Sequence, residues 1–232
     1  MERSQKIREA LEKHRDEIAP LMRLDVRPED VVELDFTKNN VSLKDLDISN
    51  TDQFVRFMDN WLEGYARVGI GGYGEDRFIY QRSPLFEGEK ESRSIHLGID
   101  IWVPSGTPVY TPLDAVVHSF DNNDQYGDYG ATIILEHQLE GERFYTLYGH
   151  LGASSLNGLE KRMTIPRNTH FATIGPPEEN GQWPPHLHFQ LITDMLGMEG
   201  DFYGVAPPSE KESFMKLCPD PRLILKFSHP RP

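Results

Sequence analysis

Ala131-Thr132-Ile133-Ile134-Leu135-Glu136-His137, followed by Phe144-Tyr145-Thr146-Leu147-Tyr148, reads as two paired strands joined around Glu140-Gly141-Glu142. Both runs are rich in β-branched and aromatic residues, and the polar, glycine-containing link has the chemistry of a hairpin turn. The same texture extends in both directions. Upstream, Ile99, Ile101 and Val103 alternate, Pro104-Ser105-Gly106-Thr107-Pro108 turns the chain, and Val109, Thr111, Leu113 and Ala115-Val116-Val117 follow. Downstream, Phe171-Ala172-Thr173-Ile174 and the stretch from His186 to Ile192 supply two more strands. Short strands separated by Gly- and Pro-rich links predict a mainly β protein with a compact antiparallel sheet core.

The front section has a different pattern. Residues 2–19 read as an exposed helix with a thin apolar stripe of Ile7, Leu11 and Ile18, ended by Pro20. Val31 to Phe36 predicts a short strand, and Asn39-Asn40 a turn. Asn50 and Gln53 stand in the capping-box relation ahead of Phe54, Phe57, Met58, Trp61, Leu62 and Tyr65, the buried face of a second helix. Gly69-Ile70-Gly71-Gly72-Tyr73-Gly74 matches the dinucleotide fingerprint in letters only. A helix precedes it and Glu75-Asp76-Arg77 brings acidic charge, so a flexible loop is expected there. The charged run Glu87–Glu91 suggests a boundary: an N-terminal helical extension over 1–90, then a β domain over 91–232 with a loop-rich, proline-rich C-terminal tail.

Composition narrows the function classes. The 232 residues carry a formal charge of −13, 38% hydrophobic and 26% charged residues, and one cysteine. That charge repels phosphate polymers, so no nucleic-acid partner is expected, and it disfavours an anionic cell wall as a surface to bind. No apolar run approaches the ~18 residues of a membrane span. Met1 to Glu9 is polar and mixed in charge, with no signal peptide visible, and a lone Cys218 forms no intramolecular disulfide. Cytoplasmic residence follows as the expectation.

The chemistry is concentrated in histidines. Alternate residues of a strand share a face about 6.5–7 Å apart, so His186 and His188 point the same way, with Leu187 and Phe189 on the other face. His96 and Asp100 add an imidazole and a carboxylate, both Zn²⁺ ligands at ~2.0–2.2 Å. Gly98 between them permits the tight backbone that turns both inward. Two histidines and an aspartate leave a coordination place for water, as in catalytic zinc sites. Spacing alone leaves open whether His186 or His188 is the ligand. His14, His118, His137, His170 and His229 read as bystanders.

His96-x-x-x-Asp100, Tyr148-Gly149-His150-Leu151 and His186-Leu187-His188 together resemble the lysostaphin/LytM-type zinc metallopeptidases, bacterial enzymes that mostly cut peptide bonds in peptidoglycan. Gly106-Thr107-Pro108-Val109 and Pro185-His186-Leu187-His188-Phe189 extend the likeness, which covers about residues 94–192. The resemblance implies that fold, with His96, Asp100 and His188 as metal ligands, His150 and His186 as catalytic histidines, Zn²⁺ as cofactor and a peptide-like substrate. A non-catalytic module that binds a peptide or partner in the same groove is the alternative. Ile70-Gly71-Gly72-Tyr73, Glu179 to His188 and Cys218-Pro219-Asp220-Pro221 are also similar to a peptidase-like domain found between kinase-like and class III aminotransferase-like domains. That likeness implies a kinase-like or aminotransferase-like protein as partner. Trp183-Pro184-Pro185 stands where wall-cutting relatives carry a small-residue-plus-Gly lead, so the groove rim is expected to differ. Tyr148, two residues before His150, would share its strand face.

Overall fold

The computed structural model describes residues 3–24 and 27–226; His229 lies outside them. Three helices are present among the described residues, α1 (Arg3–Lys13), α2 (Thr51–Trp61) and α3 (Lys211–Leu217). The strands are β1 (Val31–Leu34), β2 (Val68–Gly71), β3 (Ile95–His96), β4 (Ile99–Trp102), β5 (Pro108–Tyr110) and β6 (Ala115–Asn123). After them come β7 (Gly130–Leu139), β8 (Glu142–Leu151), β9 (Thr164–Ile165), β10 (His170–Thr173), β11 (His186–Ile192) and β12 (Val205–Ala206). Eight of them form one sheet in the order β1-β2-β4-β11-β8-β7-β6-β9. Every pairing in it is antiparallel except β1 with β2. The protein is mainly β, built on a large antiparallel sheet.

The hairpin β7–β8 is the longest ladder and the best specified. Its two-residue link, Glu140 at φ +52° and Gly141 at φ +82°, has both positions left-handed, the type I′ geometry that matches strand twist. Side chains then segregate by the two-residue period. Ile99, Ile101, Ile133, Leu135, Leu187 and Phe189 fill the main core on one face, covered by Ile7 and Leu11 of α1. The first helix is therefore shorter than 2–19, and its stripe is fully buried where an exposed helix was expected. Each such large aliphatic side chain contributes about 1.5–3 kcal/mol by leaving water.

The opposite face carries two smaller apolar clusters. Phe54 and Met58 of α2 and Leu62 just after it join Phe36, Trp102 and Trp183 in one. Asn50 caps α2 by accepting from the Gln53 amide at 3.0 Å, and the helix unwinds where Glu63, Gly64 and Tyr65 all take positive φ. Ile134, Leu147, Ile192, Phe202 and Cys218 form the other, so the tail closes over the sheet and adds α3 where only loop was expected. Between these two clusters the polar side chains of β4, β8 and β11 face a cavity.

The glycine-rich stretch differs from its sequence reading. Val68–Gly71 is a strand, not a flexible loop; it pairs with β1 on one side and β4 on the other. A Cβ on Gly69 would lie 2.6 Å from Leu34 Cδ1, and one on Gly71 2.6 Å from Arg77 Nη2. Those glycines are bare so that neighbours can close on the strand. The section before residue 90 thus contributes two strands to the shared sheet besides its helices. Among the described residues no helix is long and apolar enough to cross a membrane.

Candidate active site

His186 and His188 lie on β11, Asp100 on the adjacent β4, and His150 on β8 at the other side of β11. The register places His188 opposite both Asp100 and Gly149, so ladder pairing alone brings these segments together. His96, on β3, reaches the same point from the sheet edge. All five sequence-predicted residues converge there, each at most 5% exposed.

Three donor atoms form a near-equilateral triangle. His96 Nε2 lies 3.0 Å from His188 Nδ1 and 3.2 Å from Asp100 Oδ1, and His188 Nδ1 lies 3.1 Å from Asp100 Oδ1. The other ring nitrogens settle the protonation. His96 Nδ1 faces the Gly72 carbonyl at 2.9 Å, and His188 Nε2 faces Gln190 Oε1 at 3.0 Å. Gln190 cannot be reversed, because its amide nitrogen already donates to the Tyr203 carbonyl (3.0 Å) and Cys218 Sγ (3.2 Å). A neutral ring at either position therefore carries its proton on the outer nitrogen and turns a lone pair inward. Three lone pairs meeting at this distance repel one another unless a cation sits among them. The triangle's edges approach the ~3.3 Å that separates ligands around a tetrahedral ion with bonds of about 2.0–2.1 Å. The donor set fits a divalent metal, and the outer hydrogen bonds are those that orient metal-binding histidines.

The second oxygen of Asp100 accepts from Arg77 Nη1, and Arg77 Nε donates to Glu75 Oε2 at 2.7 Å. This Glu75–Arg77–Asp100 chain is buried, with Arg77 2% exposed. Burial alone would raise Asp100, but the electrostatics of His96 and Arg77 hold its carboxyl well below the usual range. Burial, reinforced by Arg77, pushes His96 down to about 4, so it is neutral at pH 7. Arg77 and Glu75 carry no local signal of this role in the sequence: Asp100, the partner of Arg77, is 23 residues away on β4.

His150 and His186 stand beside the triangle. His150 Nδ1 donates to the Asn180 carbonyl at 2.8 Å and His186 Nδ1 to the Pro184 carbonyl at 2.7 Å, leaving both Nε2 atoms without a hydrogen bond, that of His186 lying 4.0 Å from Asp100 Oδ1. Their ring centroids are 4.2 Å apart, and His186 stacks on Trp102 at 4.0 Å. Burial pushes His186 down to about 4, and burial with the neighbouring imidazoles holds His150 well below its ordinary value. Both are neutral proton acceptors at pH 7.

His150 reaches this face through a bulge. Tyr148 to Leu151 on β8 is three steps, matched by only two on β7, Ile133 to Ala131. His150 takes up the extra residue at φ +61°, a left-handed conformation rare outside glycine. The alternation is broken there, so Tyr148 does not share the site. It lies in the main core, where its hydroxyl meets Thr146 Oγ1 at 3.1 Å. Trp183 forms a wall of the cavity, its ring 6.1 Å from His150 and 6.3 Å from His186. The remaining described histidines lie elsewhere; His137, for example, is used up by the Asp114 carbonyl and Thr146.

Gly98 acts differently from the expectation. Its backbone stays outside the left-handed region, but a Cβ there would lie 2.5 Å from His188 Cε1 and 2.8 Å from the Phe189 carbonyl oxygen. Its bareness admits the His188 ring. Gly98→Ala is expected to displace that ring and weaken metal affinity by about 10–100-fold, the range seen when a ligand's support is lost. Competition with a chromophoric chelator measures this, and unchanged affinity would show that the ring has room to give.

A family model for peptidase family M23 matches residues 94–198. Peptidoglycan DD-endopeptidase ShyA of Vibrio cholerae is 34% identical over 98 residues, 42% of this chain and 20% of ShyA. The chain thus spans about a fifth of the length of that curated relative. The catalytic domain of lysostaphin from Staphylococcus simulans overlays with a TM-score of 0.37 at 20% identity, covering 50% of this chain and 77% of that one. A zinc-containing peptidase from Vibrio cholerae gives 0.34 at 26% identity, covering 47% and 31%. Residues 94–198 thus match peptidase family M23, in keeping with the lysostaphin/LytM-type resemblance of the sequence.

Proposed function

We propose that the protein is a zinc-dependent peptidase that cuts a peptide or amide bond, with peptidoglycan-type peptides among its candidate substrates. The observation that carries this reading is the convergence of three donor atoms, His96 Nε2, Asp100 Oδ1 and His188 Nδ1, beside the His150 and His186 imidazoles. The M23 match and the ShyA relative support it independently.

Zinc would be held by these three residues and would supply Lewis acidity, making water acidic near neutral pH. The chain's own groups supply the rest. His150 and His186 each present a bare Nε2 to the cavity, and each Nδ1–H is tied to a carbonyl that steadies the ring when it gains a proton. One imidazole takes the proton of the attacking water; once protonated, it can return that proton to the departing amine. The other is placed to steady charge developing on the carbonyl oxygen. Arg77 neutralises the outer oxygen of Asp100 and keeps its inner oxygen turned to His96 and His188. Trp102 and Trp183 exclude bulk water from the imidazoles.

Elemental analysis of the purified chain is expected to find about one zinc per molecule. A peptide panel is expected to be cleaved, the activity to vanish on chelation and to return with zinc. Full zinc content without turnover of any peptide would instead support a binding module. Absence of zinc affinity would overturn the reading altogether.

A further inference from the structure

Two of the three donor residues are steered from outside the stretch that matches family M23. His96 turns its outer nitrogen to the Gly72 carbonyl at 2.9 Å, and Asp100 gives its outer oxygen to Arg77 Nη1. Both partners precede residue 94, where the match begins. The segment that carries them is bonded along β3. The His96 amide donates to the Glu75 carbonyl at 2.9 Å, the Gly74 amide to the His96 carbonyl at 2.8 Å, and the Arg77 amide to the Ser94 carbonyl at 2.9 Å. The front section thus lays a brace against the strand that presents His96.

Arg77 is the fixed point of that brace. Its Nε donates to Glu75 Oε2 at 2.7 Å, and Glu75 Oε1 accepts from the Phe36 amide at 3.0 Å. Its guanidinium lies 5.3 Å from the centroid of the Phe36 ring, and the bare Gly71 closes on Nη2. Held on these sides and buried, the fork keeps one orientation. A carboxylate has two oxygens, and an unrestrained one can turn both to a single cation. Here the fork claims one of them. Asp100 offers the triangle Oδ1 alone, 3.2 Å from His96 Nε2 and 3.1 Å from His188 Nδ1.

We propose that Arg77 is a positioning residue that sets which metal this site accepts: by holding Asp100 to one oxygen, it favours a four-coordinate ion over ions that gather six or more ligands. The inference rests on the metal-dependent peptidase reading and adds the selectivity of the site to it. Two imidazoles and one carboxylate oxygen suit zinc, which takes nitrogen and oxygen donors in a tetrahedron. Mn²⁺ prefers six donors, mostly oxygens. An Asp100 released from Arg77 would bring a second oxygen within reach and narrow the difference between the two ions. Glu75 acts one step further out, by anchoring Arg77.

The full chain, stripped of metal, tests this without any substrate. Zinc affinity is measured by competition with a chromophoric chelator, and Mn²⁺ affinity by loss of the free-ion electron paramagnetic resonance signal. The readout is the ratio of the two, in the wild type and in Arg77→Met. Losing a buried positive charge, or loosening the fold, acts on both divalent ions alike and cancels in that ratio. Releasing an oxygen does not cancel. The zinc-over-manganese ratio is expected to fall about tenfold in Arg77→Met, the lower end of what a ligand's outer partners contribute to affinity. Thermal melting of the metal-free protein shows whether the variant folds. If it does not, Glu75→Gln decides: it keeps the cation, removes the carboxylate that anchors it, and should lower the same ratio by less. A ratio that is unchanged or higher in folded Arg77→Met, or in Glu75→Gln where that variant decides, overturns the proposal. A wild type that binds neither ion sinks the metal reading and this proposal together. A lowered ratio without turnover of any peptide keeps the proposal and sinks the peptidase reading, whereas turnover with an unchanged ratio does the reverse.

Discussion

His188→Ala is expected to release the metal. The substitution removes one corner of the His96–Asp100–His188 triangle and leaves two ligands, too few for a closed set of protein donors. The loss should exceed the 10–100-fold typical of an outer-shell partner and bring zinc content after dialysis from about one per chain to near zero. The fold should survive, because Asp100 keeps Arg77 as its counter-ion and Leu187 and Phe189 still anchor β11 in the core. Metal analysis and thermal unfolding together read the result. A ligand present at a thousand times its dissociation constant stabilises by about 4 kcal/mol, so zinc should raise the melting temperature of the wild type and not of the variant. Full zinc stoichiometry in His188→Ala would show that the ligand set is wrong.

His150→Ala is expected to do the opposite: zinc retained, turnover lost. His150 contributes no atom to the triangle, so the ion keeps its three donors. What disappears is one of the two bare Nε2 atoms, and a positioned acid–base group is worth about 10²–10⁴ in rate. The left-handed φ of +61° makes the comparison fair, because alanine meets the same backbone conformation there as histidine does. His150→Asn is the companion variant, since asparagine tolerates that conformation well but cannot exchange a proton near neutrality. Both variants should show the same loss in kcat with wild-type zinc content. Activity within a few fold of wild type in either would remove His150 from the chemistry.

The two variants probe features that were legible to different degrees. The His188–Asp100 edge of the triangle follows from strand alternation and one pairing. Once β11 is a strand, His186 and His188 share a face; once it pairs with β4, Asp100 is next to them. Strand alternation in β4, β7, β8 and β11 was readable because apolar and polar residues alternate with the period of the backbone, and the Glu140-Gly141 turn was readable from its glycine. The geometry around His150 was not. Applied without interruption, the same alternation puts Tyr148 in the cavity with His150, whereas the bulge sends Tyr148 to the core. A bulge depends on how many residues the partner strand offers, and β8 alone does not record that count.

The front section shows the same division. The stripe and cap of α2 were visible as helix periodicity, yet nothing in Gly69-Ile70-Gly71 announced a strand, since glycines have no pattern to show. Their partners, Leu34, Trp102 and Arg77, are what make the bare backbone necessary. Arg77 in particular looked like part of a charged loop and proves to be a buried counter-ion of Asp100.

By itself the sequence determined the β class and the hairpin at its centre, because each depends on periodicity within a short segment; the five site residues were marked by the resemblance their ordered motifs carry. Tertiary structure alone decided that Tyr148 turns away from the cavity, that Gly98 makes room for His188, and that Asp100 has Arg77 behind it. Those outcomes depend on atoms brought close by pairing and packing between segments far apart in the chain, and no local pattern carries a distance between two segments.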